Sequence, residues 1–428
     1  FPVVRVVSAG QDAFRGKIGL QMDSIINGSL LNIERTRVAG SSKQNPLDPA
    51  RWHQKQEAFV QALSAWADRA VFEIHYKALP NMRYLARGRL DITFCVHLWA
   101  ATQEEVHENL ISAYLSLVPL LKSHLPEIQF SPIQDSYDLE EKTTIQPKAQ
   151  GISVHRRREK LDLHPYKAQA NVQGFGKNLD QSLRSDEDQP VWHSFPFLPG
   201  DDDWSMLVQT MMNQLDPVHW VIRLKPVSTD AHNGEDLDQA VHACERVMGE
   251  HQESLPLYRK ANLLNKVLMK HKTELAVSAF QTGIFILQHN GQGAALARVI
   301  GNAITATGRM DQEEDVYRGG FAQSMIEGAL VADPGYVYEQ ELFSAQEAAC
   351  AFRFPAPPQE DIYGLPIQRA RTCMAALPHK TPGGKKLKLC VNNHQGVSQE
   401  VVQTPDDRMK HTFILGPTGS GKSTLTRS

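Results

Sequence analysis

Near its C-terminal end the chain reads KHTFILGPTGSGKST, in which Gly416, Gly421, Lys422 and Ser423 occupy the fixed positions of the pattern G-x-x-x-x-G-K-[ST]. That spacing admits one local architecture: the apolar run HTFIL arrives as a strand, residues 416–423 turn as a loop, and Ser423 and Thr424 open a helix. Gly416, Gly419 and Gly421 carry no Cβ, so the backbone N–H groups can curl around an anion while the helix N-terminus adds the positive end of its dipole. The run Gly416, Pro417, Thr418, Gly419, Ser420, Gly421, Lys422, Ser423 and Thr424 is therefore expected to cradle the phosphates of a nucleoside triphosphate such as ATP. Lys422 is the expected catalytic residue, reaching the β- and γ-oxygens, and the Ser423 hydroxyl is the expected ligand of a Mg²⁺ that bridges the same oxygens.

Hydrolysis needs more than this loop: a Walker B acid on a neighbouring strand, a group that orients water and often an arginine from a partner. The chain opens on Phe1 and stops at Ser428, a few residues into the helix, so it reads as a fragment that binds nucleotide and hydrolyses almost none. The acids Asp201, Asp202 and Asp203 do not follow an apolar strand. They precede a helix, where Asp203 is a natural N-cap.

At 428 residues the chain exceeds what one hydrophobic core supports, so about two or three units are expected. Hydrophobic residues at 41% and charged residues at 22% match a folding chain rather than a disordered one. The net charge of −3 shows no bulk basicity, so any contact with DNA must come from a local patch or an assembled ring. Five scattered cysteines, Cys95, Cys244, Cys350, Cys373 and Cys390, lack paired spacing, which argues against a disulfide framework or a zinc site and favours a reducing cytoplasm. No apolar run reaches the roughly 18 residues of a membrane span, so a soluble chain, or one peripheral to a membrane complex, is expected.

The fold class reads as α/β: an N-terminal α+β domain with an internal duplication, then a linker and the start of a nucleotide-binding domain. In residues 1–146, RWHQKQEAFVQALSAWAD has helical spacing, AVFEIHYKAL and ARGRLDITFCVHLWA read as strands, Thr102 and Glu105 form a capping box for a second helix, and EIQFSPI returns to strand. Residues 191–341 repeat this order, with Trp204 standing where Trp52 stood and Pro226 where Pro80 stood, around an insertion of two helices near DLDQAVHACERVMGEH and LYRKANLLNKVLMKH. Residues 147–190 read as a polar connector, an exposed strand edge or loop, whose cluster HRRREK at His155 to Lys160 could touch DNA or be a solvated surface run. Residues 342–410 read as a linker with short strands, including a semi-rigid proline-rich connector, FPAPPQEDIYGLP, and residues 411–428 begin the new domain. Lys385, Lys386 and Lys388 fall at a hairpin-like turn.

The passage from Asp406 to Thr424, with its Asp407, Arg408, His411 lead, resembles the HerA/FtsK superfamily of ATPases. The long leader, with its Trp-led helix and strand units and FPFLPGDDDW, looks like the N-terminal domain of the ATPases of conjugation and type IV secretion. The resemblance implies a RecA-like motor domain, a homo-hexameric ring, and ATP-driven movement of DNA or of secretion substrates, with the leader as a platform for the secretion machinery or a partner effector protein. Two alternatives stand beside it: a type II secretion or pilus-type ATPase, whose loop also reads G-P-T-G-S-G-K-S-T, and a scaffold module for a partner protein. Only the loop residues carry over one by one. Against them, His97 and Trp99, alternating on a strand, and Ile284 to Leu287 read as packing, and the dispersed histidines make no metal site, which leaves Mg²⁺ at Ser423 as the expected metal.

Overall fold

The computed structural model describes residues 1–10, 13–27, 49–79, 88–160, 192–194, 196–200, 204–228, 235–250, 255–288, 293–305, 320–337, 342–358, 360–368, 387–394 and 397–403. The chain divides into two compact units, Phe1–Arg369 and Ala370–Ser428.

The first unit is built on a ten-stranded sheet. Its main path runs β1 (Arg5–Ser8), β2 (Phe14–Ile26), β4 (Arg89–Ala100), β3 (Ala70–Leu79), β9 (Val218–Val227), β10 (Ala279–Gln288), β6 (Gln150–Arg156) and β11 (Phe321–Glu327). Every neighbour on this path is antiparallel. β5 (Ile128–Pro132) pairs antiparallel with β2, and β12 (Ile367–Gln368) pairs with it in parallel. β7 (Arg158–Lys160) and β8 (Trp192–Ser194) form a separate antiparallel pair.

Alternation along β3 sends Phe72, Ile74 and Tyr76 to one face and Val71, Glu73 and His75 to the other, and all of them are buried. The first face packs against α1 (Pro49–Leu63), α2 (Gln103–His124), α4 (Ser205–Met212), α7 (Gly293–Ile304) and α9 (Ala345–Ala351). The Thr102–Glu105 capping box opens α2, which buries Val106, Leu110, Ala113, Leu117 and Leu121 as one stripe. The second face carries smaller clusters under α3 (Ser136–Thr143) and α8 (Gly328–Val331): Cys95, Ile133 and Leu139 in one, Val221, Phe285 and Val331 in the other. The succession helix, strand, strand, helix, strand occurs twice, as α1, β3, β4, α2, β5 and as α4, β9, β10, α7, β11. Between β9 and β10, α5 (Glu235–Glu250) and α6 (Leu255–Leu275) pack on each other through Ala240, Val241, Cys244, Ala261, Leu264 and Leu268.

Four local expectations are corrected. The segment read as a connector from residue 147 contains β6, an interior strand between β10 and β11, with Ile152 and Val154 buried. Within HRRREK the reading of an exposed edge fails at Arg156, which is buried against Glu347 at 3.4 Å with its guanidinium 4.0 Å from the Phe343 ring, while Arg157 and Arg158 are exposed. A short apolar run among charges hid a core strand.

Residues 342–368, read as the start of a linker, belong to the first unit. The proline-rich strap lies in the core: Phe352 and Phe354 are fully buried, and the Phe354 ring meets those of Phe59, Phe94 and Phe130. Prolines have no N–H to satisfy, and side chains take part of the remaining polar backbone, with Tyr76 Oη and Trp52 Nε1 donating to the carbonyls of Arg353 and Phe354 and Gln56 Oε1 accepting from Phe354 N–H. The N-cap of α4 is Trp204, in the left-handed region at φ 67°, rather than Asp203, which lies outside the described residues.

In the second unit, β13 (Leu387–His394) and β14 (Val397–Gln403) form an antiparallel hairpin with a register shift between Lys388 and Cys390, and Lys388 pairs with Glu400. No helix among the described residues is long and apolar enough to cross a membrane.

Candidate functional site

The loop Gly416 to Thr424, with its expected catalytic Lys422 and Mg²⁺ ligand Ser423, lies outside the described residues, as do Lys385 and Lys386. The polar centre that the structure does describe sits on the second face of the sheet, where register places Gly19, Cys95, Glu73, Arg223 and Gly283 side by side across β2, β4, β3, β9 and β10.

Glu73 is the hub. Arg223 Nε donates to its Oε1 at 2.7 Å, and His97 Nε2 and His75 Nε2 reach Oε2 at 2.8 and 3.0 Å. A carboxylate only accepts, so both imidazoles present N–H at Nε2. His219 Nε2 lies 2.9 Å from His75 Nδ1 and extends the chain. Arg223 donates further to the carbonyls of Val331, Asp333 and Tyr336 at 2.8, 2.7 and 2.5 Å, closing the end of α8. Its guanidinium stands 5.4 Å from the Phe285 ring, which has room because Gly283 has no side chain: a Cβ there would meet the ring at 2.5 Å.

Burial opposes ionisation of Glu73, but the Arg223 guanidinium, His97 and the imidazole hydrogen bonds outweigh it and hold the carboxyl well below its usual range. Burial lowers His97 against the opposing pull of Glu73, and lowers His219 strongly with the help of His75 and Lys77. The Cys95 thiol is pushed up by burial, so it is no nucleophile.

Beside this hub lies a cavity of about 200 Å³, lined by Arg5, Arg15, Lys17, Glu73, His97, Glu140, Thr143 and Arg223 among others. Lys17 Nζ donates to Thr143 Oγ1 at 2.9 Å, Arg5 pairs with Glu140, and Arg15 Nη1 is 3.9 Å from Asp333 Oδ1. Burial is the main cause that lowers the Lys17 ammonium below its ordinary value. Arg15 and Ala332 also line a larger, open cleft of about 1260 Å³ whose walls include Trp66, Trp99, Arg69 and Lys225. The arrangement presents fixed charge rather than a nucleophile or a free acid and base. Among the described residues no group of three or more His, Cys, Asp and Glu side chains is placed to hold a metal ion.

The packing expected of Ile284 to Leu287 is found, since all four are buried. His97 is buried as well, but as a donor to Glu73, and Trp99 is half-buried on the cleft wall. Glu73 and Arg223 were missed. Their signal was present as a single acid in AVFEIHY and a single base in HWVIRL, charges in runs too apolar to leave them in water. In comparisons with known proteins, no family model matches the chain and no curated protein matches it.

Proposed function

We propose that this chain is the ATP-binding subunit of a HerA/FtsK-like hexameric ATPase that energises type IV secretion or conjugation, or translocates DNA. The observation that carries the reading is the run from Gly416 to Ser423, with an apolar strand sequence before it and helix-opening hydroxyls at Ser423 and Thr424. In this reading ATP and Mg²⁺ are held by the loop, Lys422 stabilises the charge that builds in phosphoryl transfer, and a RecA-like domain begins at about residue 411.

The twice-repeated succession of helix, strand, strand, helix and strand supports reading the first unit as an internally duplicated platform ahead of that domain. A cytoplasmic platform, peripheral to a membrane complex, would meet the secretion machinery, DNA or an effector through this unit. Titration calorimetry with Mg²⁺ and ATP tests the core of the proposal. The chain should bind saturably, and Lys422→Ala should weaken binding by about tenfold or more; equal affinity in the variant counts against the site.

A further inference from the structure

The cavity beside Glu73 is lined by four cationic side chains, Arg5, Arg15, Lys17 and Arg223, against two anionic ones, Glu73 and Glu140. Their pairing is uneven. Arg223 matches Glu73 at 2.6 Å and Arg5 matches Glu140, but Arg15 reaches Asp333 at 3.9 Å and Lys17 has only the neutral hydroxyl of Thr143, at 2.9 Å. Among the described residues no carboxylate lies within ion-pair distance of Lys17. Two cations thus face one partly buried space with less negative charge than would balance them, an arrangement that costs free energy until an anion fills it.

We propose that this cavity binds the phosphate group of a small ligand, held by the Lys17 ammonium and the Arg15 guanidinium. A phosphate group offers three or more acceptor oxygens and so can satisfy both N–H groups of a fork and an ammonium together, whereas a carboxylate offers two. The volume of about 200 Å³ leaves room for that group and for a little of what bears it. What bears it is set by the adjoining cleft, which shares Arg15 and is lined by Trp66 and Trp99, residues of the kind on which a planar base stacks. The phosphate is therefore either free or part of a nucleotide, and the residues proposed to hold it are not those of the loop at Gly416 to Ser423.

The test uses the full chain carrying Lys422→Ala, which weakens nucleotide binding at the C-terminal loop, and dependence on Lys17 and Arg15 then separates the cavity from that loop. Inorganic phosphate and adenosine monophosphate are titrated by calorimetry. Saturable binding of at least one, weakened about tenfold or more by Lys17→Met and by Arg15→Gln, is the expected result. Adenosine monophosphate binding about tenfold tighter than phosphate assigns the group to a nucleotide, and equal binding assigns it to the free anion. No saturable binding of either probe, or unchanged affinity in both variants, overturns the proposal. Should the variants fail to fold, acylation of Lys17 in the Lys422→Ala chain, followed by mass spectrometry, still decides: both probes failing to slow it overturns the proposal, and protection by either supports it.

Discussion

Arg223 on β9 stands directly opposite Glu73 on β3, both buried, with Nη2 2.6 Å from Oε1. Buried charges are tolerated because they are matched, so removing one partner is far more costly than removing both. Glu73→Gln should destabilise the chain by about 3–5 kcal/mol, and Glu73→Leu combined with Arg223→Met should cost less than the sum of the single changes. Urea unfolding of the single and double variants measures this; additive losses would mean that the two side chains do not act as a pair.

Acid should loosen the first unit before it protonates ordinary carboxylates. Burial, with Arg353 nearby, lowers His53 from 6.5 to about 4, and burial, with Arg156 nearby, lowers His271 from 6.5 to about 3. In both cases the folded value lies below the unfolded one, so the unfolded chain binds more protons in the window from about pH 6.5 down to those values. Stability is complete above that window and falls as pH drops through it, by up to about 1.4 kcal/mol for each tenfold difference in proton affinity between the folded and unfolded imidazole. The depressed Glu73 carboxyl adds a loss of the same sign at lower pH. The urea midpoint should be lower at pH 5 than at pH 7.5, and a flat profile between them would contradict the burial of these imidazoles.

Gly283 is required by the ring beside it. In Gly283→Ala the new Cβ would stand 2.5 Å from Phe285, forcing the ring away from Arg223, at a cost of about 1–3 kcal/mol. Gly249→Ala provides the contrast, because nothing lies within 4 Å of its Cβ and it sits in α5, where alanine should stabilise by up to about 1 kcal/mol. Thermal denaturation of the two variants should shift in opposite directions.

The strap through Phe354 is core. Phe354→Ala should cost about 3–5 kcal/mol by leaving a cavity among Phe59, Phe94 and Phe130. A solvated connector would lose less than about 0.5 kcal/mol on the same change, so chemical denaturation separates the two.

At the C-terminal loop, Ser423→Ala removes the hydroxyl proposed to ligate Mg²⁺. ATP affinity should then become nearly independent of Mg²⁺, while the chain without the substitution binds more tightly when the ion is present. Equal Mg²⁺ dependence in both proteins would remove Ser423 from that role.

Local order was written in the amino-acid sequence itself, because periodicity and capping act within a few residues. The apolar alternation of β3, β4, β9 and β10, the stripe of α2 and its Thr102–Glu105 cap needed no distant partner to be read. The loop signature at Gly416 to Ser423 is equally local as a sequence pattern, and it lies outside the described residues. What only the tertiary structure decided is which buried surfaces meet. Alternation says that a strand has a covered face but not what covers it, so the order β4, β3, β9, β10 and the placing of β6 inside the sheet were not legible. A proline-rich run reads as solvated until a groove lined with Phe59, Phe94 and Phe130 is there to receive it. Glu73 and Arg223, 150 residues apart, each look like an error in an apolar strand. They become one centre only when β3 and β9 pair, because the cost of burying either charge is offset chiefly by the other.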